Sequence, residues 1–180
     1  MDDSRSPDPV DDPQAYQEHL LALLGADDPA VVQSATPGAW HTMVDLAGSR
    51  LHDPPAEGEW SIFECLAHAA DAEIVMSARY RWILAHDEPP LLGYDQDLWV
   101  RRLHGDAMAE SPADLLATFG ALRGSNLALW RRSSESQRSR VGVHGERGPE
   151  SYDLSFRMMA GHDRFHLRQA RETSAAVSAG

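Results

Sequence analysis

Two histidines, His162 and His166, stand four positions apart in the run AGHDRFHLRQ, residues 160–169. On a helix that spacing is about one turn, so both imidazoles rise from one face and can reach one cation. The spacing alone is weak evidence, because the chain carries nine histidines and such a pair arises readily by chance. Its neighbours strengthen it. A helical wheel puts Met158, Met159, Phe165 and Gln169 on the side of the two histidines and gathers Arg157, Arg164, Arg168 and Arg171 toward the other. Two imidazoles buried in an apolar face without partners are costly, whereas a shared cation satisfies both.

A third donor comes from an earlier stretch, WSIFECLAHAADAE. There His68 lies one helical turn after Glu64 and three residues before Asp71, among small and apolar neighbours. Three neutral imidazoles from two helices would leave a coordination position open, as catalytic sites do and closed structural sites do not. The alternative is a core histidine hydrogen-bonded to Asp71 or Glu64. HDRFH also invites comparison with the zincin pattern, with Asp163 where the catalytic Glu would stand. The only carboxylate after His166 is Glu172, six positions and about 9 Å further along the same helix, which argues against a zincin. Asp163 falls between the two faces of the wheel and reads as a group behind the ligands or at the surface.

The rest of the composition narrows the chemistry. The net charge of −12 opposes binding to nucleic acid. All 16 basic residues are arginine, which excludes Schiff-base lysines and a P-loop lysine. A single cysteine, Cys65, rules out a multi-thiolate zinc site and reads as a small buried hydrophobe. No apolar run is long enough to span a bilayer, and the acidic, Pro-rich start MDDSRSPDPVDDP is unlike a signal peptide. The expectation is a cytoplasmic protein.

At 180 residues, 42% of them hydrophobic, one core is the prior. Residues 1–12 have the composition of a disordered acidic tail, a single domain is expected over 13–174, and 175–180 is expected to be flexible. PQAYQEHLLALLG reads as a short helix ending at Gly25, and DDPAVVQSA as another turn or two. Thr36 as cap and Pro37 at the first position predict a further helix to about Gly48. Ser61 with Glu64 forms a capping box for a helix of about 25 residues that stops at Pro89 and Pro90. Residues 91–103 read as a loop with a short helical segment. Ser111 and Pro112 start another helix through Trp130, in which Gly120 and Gly124 could permit close helix approach. SSESQRSRVGVHGERGPES is a loop by composition, and the last helix covers about Ser151 to Thr173. Four long or medium helices without a convincing strand make an all-α bundle.

Together, WSIFECLAHAADAEIVMSARYRWIL, GYDQDLW and AGHDRFHLRQ resemble the DinB/YfiT-like superfamily of bacterial metal-binding four-helix bundles, over roughly residues 37–173. The most specific parts are Trp60 and Ser61, Glu64, His68 and the run Gly161 to Gln169. The resemblance implies an up-down-down-up bundle, often dimeric. It also implies one divalent ion on His68, His162 and His166, with zinc or nickel ahead of iron. Relatives include metal-dependent hydrolases and enzymes that transfer or isomerise low-molecular-weight thiol adducts. The substrate expected is therefore a small molecule, with such a thiol as one candidate.

Glu64, Asp71, Tyr94, Trp99 and Gln169 are candidates for the pocket or for supporting the ligands. Asp95 adjoins them, and His144 is a weaker candidate on a loop. His19, His41, His52, His86 and His104 read as solvated. Two classes of function remain: a metal-dependent enzyme that activates water or a thiol, and a metal-stabilised binding or stress-response bundle without chemistry.

Overall fold

The computed structural model describes residues 7–105 and 110–179. The first half of the acidic tail, residues 1–6, and Gly180 lie outside the described residues. Residues 7–12 lead directly into α1 (Pro13–Leu24): the Asp8 carboxylate accepts from the Val10 and Asp11 amides, and Asp12 caps the helix by accepting from Ala15 N–H.

The second helix corrects the expectation drawn from Thr36 and Pro37. Helix α2 spans Pro29–Ala47 without a break, capped by Asp28, and Pro37 lies inside it. An interior proline donates no N–H to the carbonyl four residues back, here that of Gln33. Arg123 Nη1 supplies the missing donor to Gln33 O at 3.1 Å. Thr36 does not cap; its hydroxyl is turned to Val32 O and to Asp163.

Helix α3 (Ile62–Ala85) begins with the expected capping box of Ser61 and Glu64. β1 (Pro90–Leu91) and α4 (Gln96–Leu103) follow. Helix α5 (Pro112–Arg132) is capped by Ser111, and α6 (Glu135–Arg138) is a single turn. The Gly-rich stretch expected to be a loop is instead a hairpin, β2 (Val141–His144) and β3 (Gly148–Ser151), with β1 added in parallel to β2. Its buried β2 positions are Gly142 and His144, so no apolar alternation marked it as strand. A Cβ on Gly142 would lie 2.9 Å from Leu91 Cγ, so glycine lets β2 seat against β1. Helix α7 (Tyr152–Ala179) continues past Thr173, where spacing had ended it.

Two core clusters set the helix directions. One joins the C-terminal part of α2 (Trp40, Met43), the N-terminal part of α3 (Ile62 to Ala70), the N-terminal part of α5 (Leu115, Phe119) and the C-terminal part of α7 (Leu167, Ala170). The other joins the remaining halves of α3, α5 and α7 through Tyr80, Ile83, Trp130, Tyr152 and Phe156. Helices α2 and α7 therefore run one way and α3 and α5 the other, an up-down-down-up bundle.

Between the clusters lies a polar layer. Arg123, fully buried, donates from Nη2 to Glu73 Oε2 at 2.8 Å and to Asp163 Oδ1 at 2.9 Å. Asn126 donates to Glu73 Oε1 at 2.8 Å, and Gln33 Nε2 to Phe156 O at 2.7 Å. Asp163 is thus neither behind the ligands nor at the surface: it points into the bundle and is neutralised by Arg123. Helix α1 lies along α7, where Gly161 makes the approach possible, since a Cβ there would sit 2.0 Å from Leu20 O. Gly120 and Gly124 have open space beside them and mediate no close approach.

Candidate metal centre

The register of α7 carries His162 and His166 on the same side, and α3 presents His68 opposite them. One ring nitrogen from each of the three lies within 4.8 Å of the others. His68 Nε2 and His162 Nε2 stand 2.9 Å apart, and the His166 ring centroid is 4.5 Å from that of His68 and 4.3 Å from that of His162. All three are buried, His162 the most open at 7%.

Their protonation states favour ligation. Burial holds all three pKa values below the ordinary imidazole range, with His166 at about 4. The proximity of His166 pushes His68 and His162 down further. Neutral imidazole is the form that binds metal. His166 Nδ1 lies 2.9 Å from Gln169 Oε1, an acceptor, so Nδ1 carries the proton and Nε2 the lone pair. The Nδ1 atoms of His68 and His162 have no hydrogen-bond partner. Two nitrogens each about 2.0–2.1 Å from one zinc-sized ion stand roughly 3 Å apart. The three residues therefore fit a divalent cation in spacing, charge state and donor type.

The carboxylates that spacing placed near the histidines are engaged elsewhere. Glu64 Oε2 accepts from the Ser61 amide and hydroxyl, both at 2.8 Å. Asp71 Oδ2 pairs with His104 Nε2 at 3.0 Å. His104 is consequently buried and not solvated as its position suggested: it closes the C-terminus of α4, which folds back onto α3. The alternative for His68, a hydrogen bond to Asp71 or Glu64, is not found among the described residues. Cys65 is packed in the core, and burial pushes its thiol up to about 12.

A cavity of about 580 Å³ opens beside His68 and His162. Tyr94 lines it, its ring 6.5 Å from His68, and Trp99 backs Tyr94 at 4.5 Å without itself lining the wall. Asp95 is at the rim and caps α4 through Leu98 N–H. Trp60 covers the other side, its ring 5.1 Å from His68 and 6.1 Å from His166. His144, expected on a loop, reaches the cavity from β2 as a buried residue, and its pKa is lowered by burial, Arg147 and Arg79 to about 4.

Sequence reasoning passed over Arg79. It lies eleven residues after His68, which is about 20° from it around a helix of 100° per residue. That offset was readable in the sequence, and both residues line the same cavity.

A family model of the DinB superfamily matches residues 33–170, from α2 into α7 and across all three histidines. This chain belongs to the DinB superfamily. Among curated members, it is 24% identical over 136 residues to "Putative metal-dependent hydrolase OB0413" of Oceanobacillus iheyensis, covering 76% of this chain and 77% of that protein. It is 26% identical over 99 residues to "Putative metal-dependent hydrolase YfiT" of Bacillus subtilis, covering 55% and 54%. The solved structure of Bacillus subtilis YfiT, described as "a probable metal-dependent hydrolase with an unusual four-helix bundle topology", superposes with a TM-score of 0.73 at 20% identity. That match covers 92% of this chain and 89% of YfiT. The DinB-superfamily bundle is thus established, and the three-histidine cluster lies within the matched residues. No helix among the described residues is long and apolar enough to cross a membrane.

Proposed function

We propose that this DinB-superfamily chain is a metal-dependent enzyme in which His68, His162 and His166 hold one divalent cation at the end of a substrate cavity. The observation that carries this reading is the convergence of three buried, neutral imidazoles, of which His68 and His162 line the wall of that cavity. A cation held there would act as a Lewis acid and lower the pKa of a water or thiol in the cavity. Imidazole donors suit zinc, nickel and iron.

The protein's own groups do the rest. Gln169 holds His166 in one tautomer, Trp60 shields the far side of the imidazoles from water, and Tyr94 narrows the cavity beside His68. The names of the relatives favour hydrolysis. A second reading, transfer of a low-molecular-weight thiol, is favoured by the carboxylates: Glu64, Asp71 and Asp163 are committed to Ser61, His104 and Arg123. Attack by water calls for a base to take its proton, whereas a thiol held at the cation would be acidic enough to release its proton to solvent.

The test is an assay of metal-loaded and chelated protein on a panel of esters and amides, and on small thiols with an electrophile. The reading predicts turnover only in the loaded protein and its loss in His162→Ala with helical content preserved. Metal-dependent melting without turnover on either panel would instead make this a non-catalytic metal-stabilised bundle.

A further inference from the structure

Among the described residues, two arginines are buried in helices, and their surroundings differ. Arg123 is neutralised by two carboxylates, Glu73 and Asp163. Arg79, 95% buried by its 5% exposure, has no carboxylate within ion-pair distance among the described residues. Its guanidinium donates to the Leu92 carbonyl, lies 3.2 Å from His144 Nε2 and 3.8 Å from Met76 Sδ, and its Nε has no partner. Glu146 and Glu150 act on it only from a distance, each bonded to other groups. Glu146 Oε2 faces His144 Nδ1 at 3.2 Å, and Glu150 is held by Arg147 and by the Ser155 hydroxyl. Arg79 can only donate, so neutral His144 accepts from it at Nε2 and carries its proton on Nδ1, on the side of Glu146 Oε2. His144 therefore orients Arg79 without cancelling its charge.

A buried guanidinium without a counter-ion is expensive, and removing one partner from such a pair costs several kcal/mol. It persists where an anion completes it. The stripe His68, Ala72, Met76, Arg79 lines one cavity wall along three turns of α3, a rise of about 16 Å. Arg79 leans back toward His68, as its contact with Met76 shows. We infer that Arg79 is a binding residue for a carboxylate on the substrate, so that the molecule accepted is an acid with its reacting group at the histidines and its carboxylate at Arg79. The exposed Asp8, Asp11, Asp95 and Asp97 around the mouth disfavour a more highly charged group such as a phosphate dianion. The span between the two ends rests on the reading of the triad as a metal site; the anchor itself does not.

Two thiol probes that differ only at the far end test this: ω-mercaptooctanoate and ω-mercaptooctanol, titrated into the cobalt-loaded protein while the thiolate-to-cobalt absorption is followed. The acid is expected to half-saturate at a concentration at least about tenfold below the alcohol, as a charge-assisted arginine–carboxylate contact implies. Arg79→Gln should erase that difference and leave the alcohol unchanged, while Arg79→Lys should retain part of it. Equal affinities in the wild type, or an advantage that survives Arg79→Gln, would overturn the anchor. Should the protein take up no cobalt, the metal reading fails. The anchor is then decided on the same protein by calorimetry with octanoate against octanol, where octanoate must bind more tightly and lose its advantage in Arg79→Gln.

Discussion

His166 donates from Nδ1 to Gln169 Oε1 at 2.9 Å, three residues further along α7. This bond fixes which nitrogen of His166 keeps its lone pair and holds the ring against rotation. Groups that orient a ligand in this way commonly account for about 10- to 100-fold in metal affinity. Gln169→Leu should weaken divalent-metal binding by that order, measured by competition with a chromogenic chelator, while Gln169→Glu should bind at least as tightly as wild type. Equal affinity in Gln169→Leu would show that the bond orients nothing.

Gly161 precedes the histidine pair for a reason of packing and not of chemistry. A mid-helix glycine ordinarily gains up to about 1 kcal/mol on replacement by alanine. Gly161→Ala should instead lose about 1–3 kcal/mol, because its Cβ would meet Leu20 O at 2.0 Å and push α1 off α7. Gly120→Ala and Gly124→Ala, with nothing within 4 Å, should be neutral or stabilising in the same urea titrations.

The Arg123 layer predicts a large effect far from the cavity. Arg123→Met leaves Glu73 and Asp163 buried without their counter-charge and frees Gln33 O beside Pro37. The expected loss is about 3–5 kcal/mol, read from chemical denaturation. A loss below about 1 kcal/mol would mean that the layer tolerates an apolar residue without penalty.

Much of the bundle could be read from local chemistry. The capping box at Ser61 and Glu64 and the Ser111–Pro112 start are determined by a few neighbouring residues, and both form as expected. Pro37 misled because the donor that makes it tolerable, Arg123, comes from another helix, 90 positions away from Gln33. The hairpin was hidden because what it buries is a glycine, a histidine and a glutamate, which fit against β1, Arg79 and Arg147 and show no apolar alternation. At the candidate centre, the pair on α7 was visible from spacing and His68 was a candidate third donor on the capped helix, which the resemblance then joined to the pair. Asp163, His104 and Arg79 required knowing which side chains cross the bundle.

Acid should destabilise the protein through its neutral buried histidines. His144 and His166 titrate at about 4 in the fold, and His68 and His162 also lie below the ordinary 6.5 that the unfolded chain shows. Between those values the unfolded chain binds protons that the folded chain refuses, so stability rises with pH across that window. It is complete above about 6.5 and declines as pH falls toward 4. Urea midpoints of metal-free protein should fall over this range, less steeply for His144→Gln. The same slope in wild type and His144→Gln would show that His144 is not held neutral by the fold.

Elemental analysis of protein purified without chelator tests the central claim most directly. The account predicts about one equivalent of divalent transition metal per chain, and its loss in His162→Ala with an unchanged helical circular-dichroism spectrum. Metal far below one equivalent in the wild type, or the same content in wild type and His162→Ala, would contradict it.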